Sequence, residues 1–320
     1  MCAAVMVTST VPGTAVVYAG EIKTEAVLMP EYHDHGWMRE AAERNIMSNI
    51  RKHKLFDRPV VGIIVSILIA LAGIEVLGYL SGMIFNFIPG TSQIASSLGV
   101  ILLSFLWLFV HLFWFRGETQ DFMNPKKLAS SILLGWSMIL MPLATFILNI
   151  IGGNQIGNVF TALILALSPG LSEEVIFRII PVSIAMRSET REKIIPVTIV
   201  LTSVIFGFIH SVNILAGANP FLTVLQILYA TAIGLICVGI YMRTGNIWVT
   251  IVLHTFADFM DFLSVDLQGT EGAVTAAPDL GSVIYLLFCA FVFFINAFTV
   301  LKKDKRNGIP ETWDHIWKKK

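Results

Sequence analysis

Residues 159–186 read VFTALILALSPGLSEEVIFRIIPVSIAM. The stretch is long enough to cross a bilayer's hydrocarbon core as a helix, which takes about 20 mainly apolar residues. It nevertheless carries Glu173, Glu174 and Arg178 near its middle. A charge at that depth costs about 2.5–3.5 kcal/mol on insertion scales, so a chain keeps one only where it is paired or useful. Pro169-Gly170 predicts a break in this span, with a short helix before it and a second helix after it.

The chain around this stretch is of the same kind. Of 320 residues, 55% are hydrophobic and 14% charged, against about 45–50% and about 25% in soluble domains. Mean hydropathy is +0.75. These values exclude a disordered chain and argue against a soluble enzyme. Further stretches of membrane length run from Val60 to Ile88, Ile94 to Phe115, Leu128 to Ile151, Ile194 to Ala216, Leu222 to Met242, Ile247 to Ser264 and Leu280 to Leu301. The expected fold is all-α, a polytopic transmembrane bundle of about eight spans.

Charge sets the topology. Arg39 to Arg58 precede the first span, and the next loop has no Lys or Arg. Arg116, Lys126 and Lys127 follow the second span, Arg187, Arg191 and Lys193 the fourth, Arg243 the sixth, and Lys302 to Arg306 the eighth. Basic and empty loops alternate, which by the positive-inside rule places both termini in the cytoplasm. Three regions follow: a cytoplasmic extension at 1–58, a membrane domain at 59–301, and a basic cytoplasmic tail at 302–320 that attracts anionic lipid. Gly36 to Lys54 has the pattern of an amphipathic surface helix. No basic n-region followed by an apolar h-region opens the chain, so no cleaved signal peptide is expected. Together these features point to a prokaryotic plasma membrane. The 22 Lys and Arg balance 22 Asp and Glu, so no basic excess points to nucleic acid. Cys2, Cys237 and Cys289 are scattered and predict neither a disulfide framework nor a cysteine metal cluster.

The deep ionisable residues, apart from Glu75, fall into three patterns. In EEVIFR, Glu174 and Arg178 are four apart and share a helix face, so they can pair. Glu173 is turned about 100° from Glu174 and is left for another role. In FGFIH, Phe206 and His210 stack a ring and an imidazole on one face, with Asn213 three residues on. In HTFAD, His254 and Asp258 point the same way. At 1.5 Å per residue, Glu173 lies ~21 Å from Arg187, His210 ~25 Å from Lys193, His254 ~16 Å from Arg243 and Asp258 ~22 Å from Arg243. The fourth, fifth and seventh spans thus bring four polar groups to similar depth, leaning toward the outer half of the bilayer. One pocket explains this better than independent structural residues. Glu75 is expected to line a cavity or to pair with Arg178, and His111 to make an interhelical hydrogen bond.

Such a pocket suits amide hydrolysis. A carboxylate sheltered from bulk water can serve as general base near neutral pH, the role that fits Glu173. His210 and His254 can hold and polarise the water, or can ligate a divalent metal with Glu173. Zinc is the most plausible ion, since two His and one Glu form a known catalytic set. Asp258 or Asn213 can help position the tetrahedral intermediate. For Asp258 this requires a proton or a metal, because a bare carboxylate repels an oxyanion.

The three patterns, in this order and on separate spans, resemble those of the CPBP intramembrane proteases, also called the CAAX-protease and bacteriocin-processing or Abi family. The family signature is EExxxR, FxxxH and HxxxN or HxxxD. Here it reads Glu173-Glu174-Val175-Ile176-Phe177-Arg178, Phe206-Gly207-Phe208-Ile209-His210 and His254-Thr255-Phe256-Ala257-Asp258. The likeness covers roughly 168–264. It implies an eight-span helical core and hydrolysis of peptide bonds near the membrane. It further implies Glu173 as base, His210 and His254 as binders of water or metal, and Glu174 and Arg178 as structural or substrate-orienting groups. Asp258 stands where the family's prenyl-protein endopeptidases carry Asn. No HExxH, GxSG or GxGD pattern points to another class of intramembrane protease. The expected partners are membrane lipid and a membrane-associated peptide or protein tail. Two other readings are a non-proteolytic scaffold or immunity protein of the same fold, and a proton-coupled transporter.

Overall fold

The computed structural model describes residues 58–85, 94–114, 128–215, 217–264 and 279–318. The expected surface helix at 36–54 lies outside the described residues, as does the side chain of His111. Among the described residues there is no β-strand. Helices α1 (Pro59–Phe85) and α2 (Ala95–Trp114) form an antiparallel pair. The third span begins as α3 (Leu128–Ile132), tightens through a 3₁₀ turn (Leu133–Gly135) and continues as α4 (Trp136–Ile151). The fourth consists of α5 (Val159–Glu174), a π-helical turn (Val175–Ile179) and α6 (Ile180–Arg187). Then come α7 (Arg191–Ile209), the short α8 (Val212–Leu215), α9 (Pro220–Thr244), α10 (Ile247–Ser264) and α11 (Leu280–Val300). Two short helices follow, α12 (Lys303–Arg306) and α13 (Ile309–Lys318).

Seven of the expected spans form helices long and apolar enough to cross a membrane. The remaining one, the second span α2, is apolar over Ala95–Phe109. Their outer surfaces carry exposed Leu68, Tyr79, Phe109, Phe160, Phe208 and Phe298. So continuous an apolar exterior suits lipid and would aggregate in water.

Polar caps fix where the helices begin. The Asn158 side chain accepts the Thr161 N–H at 2.9 Å, Asn219 accepts those of Phe221 and Leu222, and Asp279 accepts that of Ser282. Each satisfies N–H groups that the first helical turn leaves free. Between α9 and α10 the chain reverses through Gly245, whose φ of +66° is left-handed and suits glycine.

Bonds between helix ends sort them onto two faces. On the basic-loop face, Arg243 donates to the Val300 carbonyl at 3.0 Å and Arg191 grips Asp314 with two bonds of 2.6 Å. On the opposite face, Asn149 donates to Ser264 at 3.1 Å and the Gly157 N–H donates to the Leu263 carbonyl at 2.9 Å. The 3₁₀ turn is held by the buried Asn296 of α11, which accepts from Ser137 Oγ at 2.7 Å and donates to the Leu134 carbonyl at 2.9 Å.

The fourth span departs from the expectation at Pro169-Gly170. Helix α5 runs through Pro169 unbroken, and the irregularity lies downstream in the π turn. Gly170 serves close packing instead: a Cβ there would lie 2.2 Å from Thr255 Oγ1 and 2.9 Å from the Thr255 Cα. Glycine thereby lets the α5 backbone meet α10 next to His254. Gly170→Ala should lower stability by about 1–3 kcal/mol, the usual cost of overpacking, and a thermal melt in detergent measures it. An unchanged melt would show that α10 yields freely.

Candidate active site

The adjacent carboxylates of α5 end in different surroundings. Glu174 is 0% exposed. Its Oε2 lies 3.3 Å from Arg178 Nε, and its Oε1 accepts from His254 Nδ1 at 2.9 Å. The expected Glu174–Arg178 pair therefore forms, and it also reaches across to α10. Arg178 is fully buried as well; its Nη1 donates to the Glu173 carbonyl at 3.5 Å, and its guanidinium carbon sits 4.4 Å from the Phe206 ring centroid. The arginine thus faces one carboxylate, one carbonyl and an aromatic ring, while its buried Nη2 has no hydrogen-bond partner among the described residues. It does not turn to Glu75, which lines a cavity of about 440 Å³ between α1 and α2 with Tyr79, Ser96 and Val100.

Glu173 keeps 25% of its side chain exposed, and its Oε2 lies 3.6 Å from His254 Nε2. Asp258 is 27% exposed and approaches the same nitrogen at 3.6 Å. With Nδ1 donating to Glu174, the His254 ring has a fixed orientation and turns Nε2 toward both accessible carboxylates. This is the expected division of labour: one carboxylate bound into an ion pair, its neighbour left open.

Phe206, buried on α7, is the hub of the aromatic contacts. It meets His254 edge-on at 5.8 Å between ring centroids, His210 at 5.5 Å and Phe177 at 5.3 Å. His210 caps the C-terminal end of α7. Its Nδ1 lies 3.0 Å from the Phe206 carbonyl. A carbonyl only accepts, so Nδ1 donates there and Nε2 is the ring's remaining acceptor in the neutral form. Asn213 is turned away to Gln226, donating at 2.9 Å.

The expected metal set has suitable donor types. His254 Nδ1 is held by Glu174 and His210 Nδ1 by a backbone carbonyl, which leaves each Nε2 as the ring's remaining donor to an ion. Among the described residues no group of three or more His, Cys, Asp or Glu side chains is placed to hold an ion.

One residue near the site escaped the sequence reading. Gln226 of α9 fixes Asn213, and its signal was an amide inside an apolar span. Asp261 lies one turn beyond Asp258 on α10 and is exposed.

Residues 155–260, about a third of the chain, match the family model described as Type II CAAX prenyl endopeptidase Rce1-like. Every candidate site residue lies within that segment. The match agrees with the CAAX-protease resemblance of the three motifs. No curated protein and no solved structure matches the chain.

Proposed function

We propose that this protein, whose central segment is of the Rce1-like CAAX-protease kind, is an intramembrane endopeptidase that cleaves membrane-associated peptides or protein tails with Glu173 as general base. The observation that carries the proposal is the pair of adjacent carboxylates around one imidazole. Glu174 is buried and bound on both oxygens, whereas Glu173 is accessible and faces His254 Nε2.

In this reading Glu173 removes a proton from water as the water oxygen bonds to the scissile carbonyl carbon. The Nε2 atoms of His210 and His254 accept from that water and orient it, and an imidazole that takes up a proton at Nε2 donates to the developing oxyanion. The proton on Glu173 then passes to the leaving amine as the C–N bond breaks, releasing a free carboxylate and a free amine. Asp258 supports the imidazole, and it can assist the oxyanion when it carries a proton. Glu174 and Arg178 hold the motif segment against α10.

The test compares membrane and secreted peptides from cells making wild type or Glu173→Gln at matched protein levels. New peptide termini present with wild type alone support hydrolysis and identify the substrate class. Identical peptide profiles alongside a cellular phenotype would overturn the protease reading in favour of a scaffold or transporter. A chelator arm addresses the zinc expectation. Turnover that survives chelation assigns His210 and His254 to the water alone; loss of turnover restored by zinc assigns them to an ion.

A further inference from the structure

Polar and apolar side chains are unevenly divided along the spans that build the site. Between His254 and the basic loops the bundle is filled by a buried apolar cluster that includes Val182, Met186, Val238, Tyr241 and Ile247. Helix α13 closes that cluster from the basic side. Its Ile309 and Trp313 are buried in the same cluster, and Trp313 Nε1 donates to the Met242 carbonyl at 2.7 Å. Arg191–Asp314 pins the helix beside it.

Toward the other face the character reverses. Asp258 and Asp261 lie one and about two turns beyond His254 on α10. His210 stands at the far end of α7, Asn213 on the short α8 that follows, and Gln226 projects from the early turns of α9. All of these are half-buried or exposed. The helix ends on this face belong to the side where Asn149 meets Ser264 and Gly157 meets Leu263. A water path needs polar walls, and a closely packed apolar plug denies one.

We infer that the pocket has one mouth, on the membrane face opposite the basic loops, and that water and peptide reach Glu173 from there. By the positive-inside rule that face is extracytoplasmic. Resting on the protease reading, this makes the substrate a peptide segment presented outside the cytoplasm, such as an exported peptide or the outer flank of a membrane helix. A tail confined to the cytoplasm would meet α13 and the apolar plug.

Side-specific labelling tests this in the full-length protein with Cys2→Ser, Cys237→Ala and Cys289→Ala. Single cysteines are placed by Asp261→Cys and Asn213→Cys at the mouth and by Asn307→Cys on the basic face, then treated with a membrane-impermeant charged maleimide. We expect the first two to label on intact cells and to lose that labelling in sealed inverted vesicles, with position 307 showing the reverse. Labelling of 261 and 213 from the same side as 307 would overturn the inference. So would labelling of neither in protein that melts like its parent. Labelling does not depend on turnover, so a failed protease reading appears separately, as a Glu173→Gln peptide profile equal to wild type.

Discussion

Glu174→Leu should unfold far more readily than wild type, while Glu173→Gln, one residue away, should melt almost normally and lose its cleavage activity. Glu174 and Arg178 are both essentially without solvent contact. Removing one partner of a buried ion pair strands the other charge, at a cost of about 3–5 kcal/mol. Arg178 would then keep only a carbonyl and the Phe206 ring. Glu173 is a quarter exposed and pairs only loosely with His254 at 3.6 Å, so its amide replacement leaves no buried charge behind. Thermal melts in detergent with a parallel peptide-cleavage assay separate the two effects. Glu174→Leu combined with Arg178→Met supplies the control, because exchanging both partners for apolar groups should restore much of the lost stability. If Glu174→Leu melts like wild type, the pair does not hold the motif helix.

His254→Phe should lower cleavage by about 10²–10⁴-fold, the usual contribution of a positioned acid–base group. A phenyl ring can keep the edge-on contact with Phe206, so packing is largely conserved. What disappears is the Nδ1 bond to Glu174 and the Nε2 that faces Glu173 and Asp258. His254→Asn divides these losses. Its amide nitrogen can stand in for Nδ1 and keep the Glu174 bond, but nothing replaces Nε2. We therefore expect His254→Asn to recover stability without recovering activity. Cleavage at the wild-type rate by His254→Phe would reduce His254 to a packing residue.

The parts of this molecule that were legible in its sequence are those governed by cost in lipid. Eight apolar stretches, alternating basic loops and three polar patterns at similar depth all follow from the expense of charge in hydrocarbon, and the apolar stretches and polar patterns have their counterparts in the helices described. The assembly of Glu173, Glu174, Arg178, Phe206 and His254 follows from the same rule. Pro169-Gly170 was misread because a proline in a helix normally disrupts it, whereas here the neighbouring glycine records the close approach of α10 to α5. The π turn at Val175–Ile179 has no composition of its own, since its five residues would suit an α-helix equally well. Asn296 is one polar residue in an apolar span, and its role appears only once the 3₁₀ turn frees the groups it binds. The tail was read for its lysines, so its pattern of Ile309, Trp313 and Asp314, which docks α13, went unused.

That docked helix also bears on how the protein is made. The carbonyl of Met242 and its partner Trp313 are separated by 71 positions in the chain, and Arg191 and Asp314 by 123. At about 5–20 residues per second of synthesis, the ends of α7 and α9 wait on the order of 4–25 s on the ribosome before their final contacts exist. The later spans must be inserted during that interval while the inner end of the core is still uncovered. A chain released before residue 309 would therefore keep every described span and leave the basic-loop end of its core open, the form that quality-control proteases would reach first.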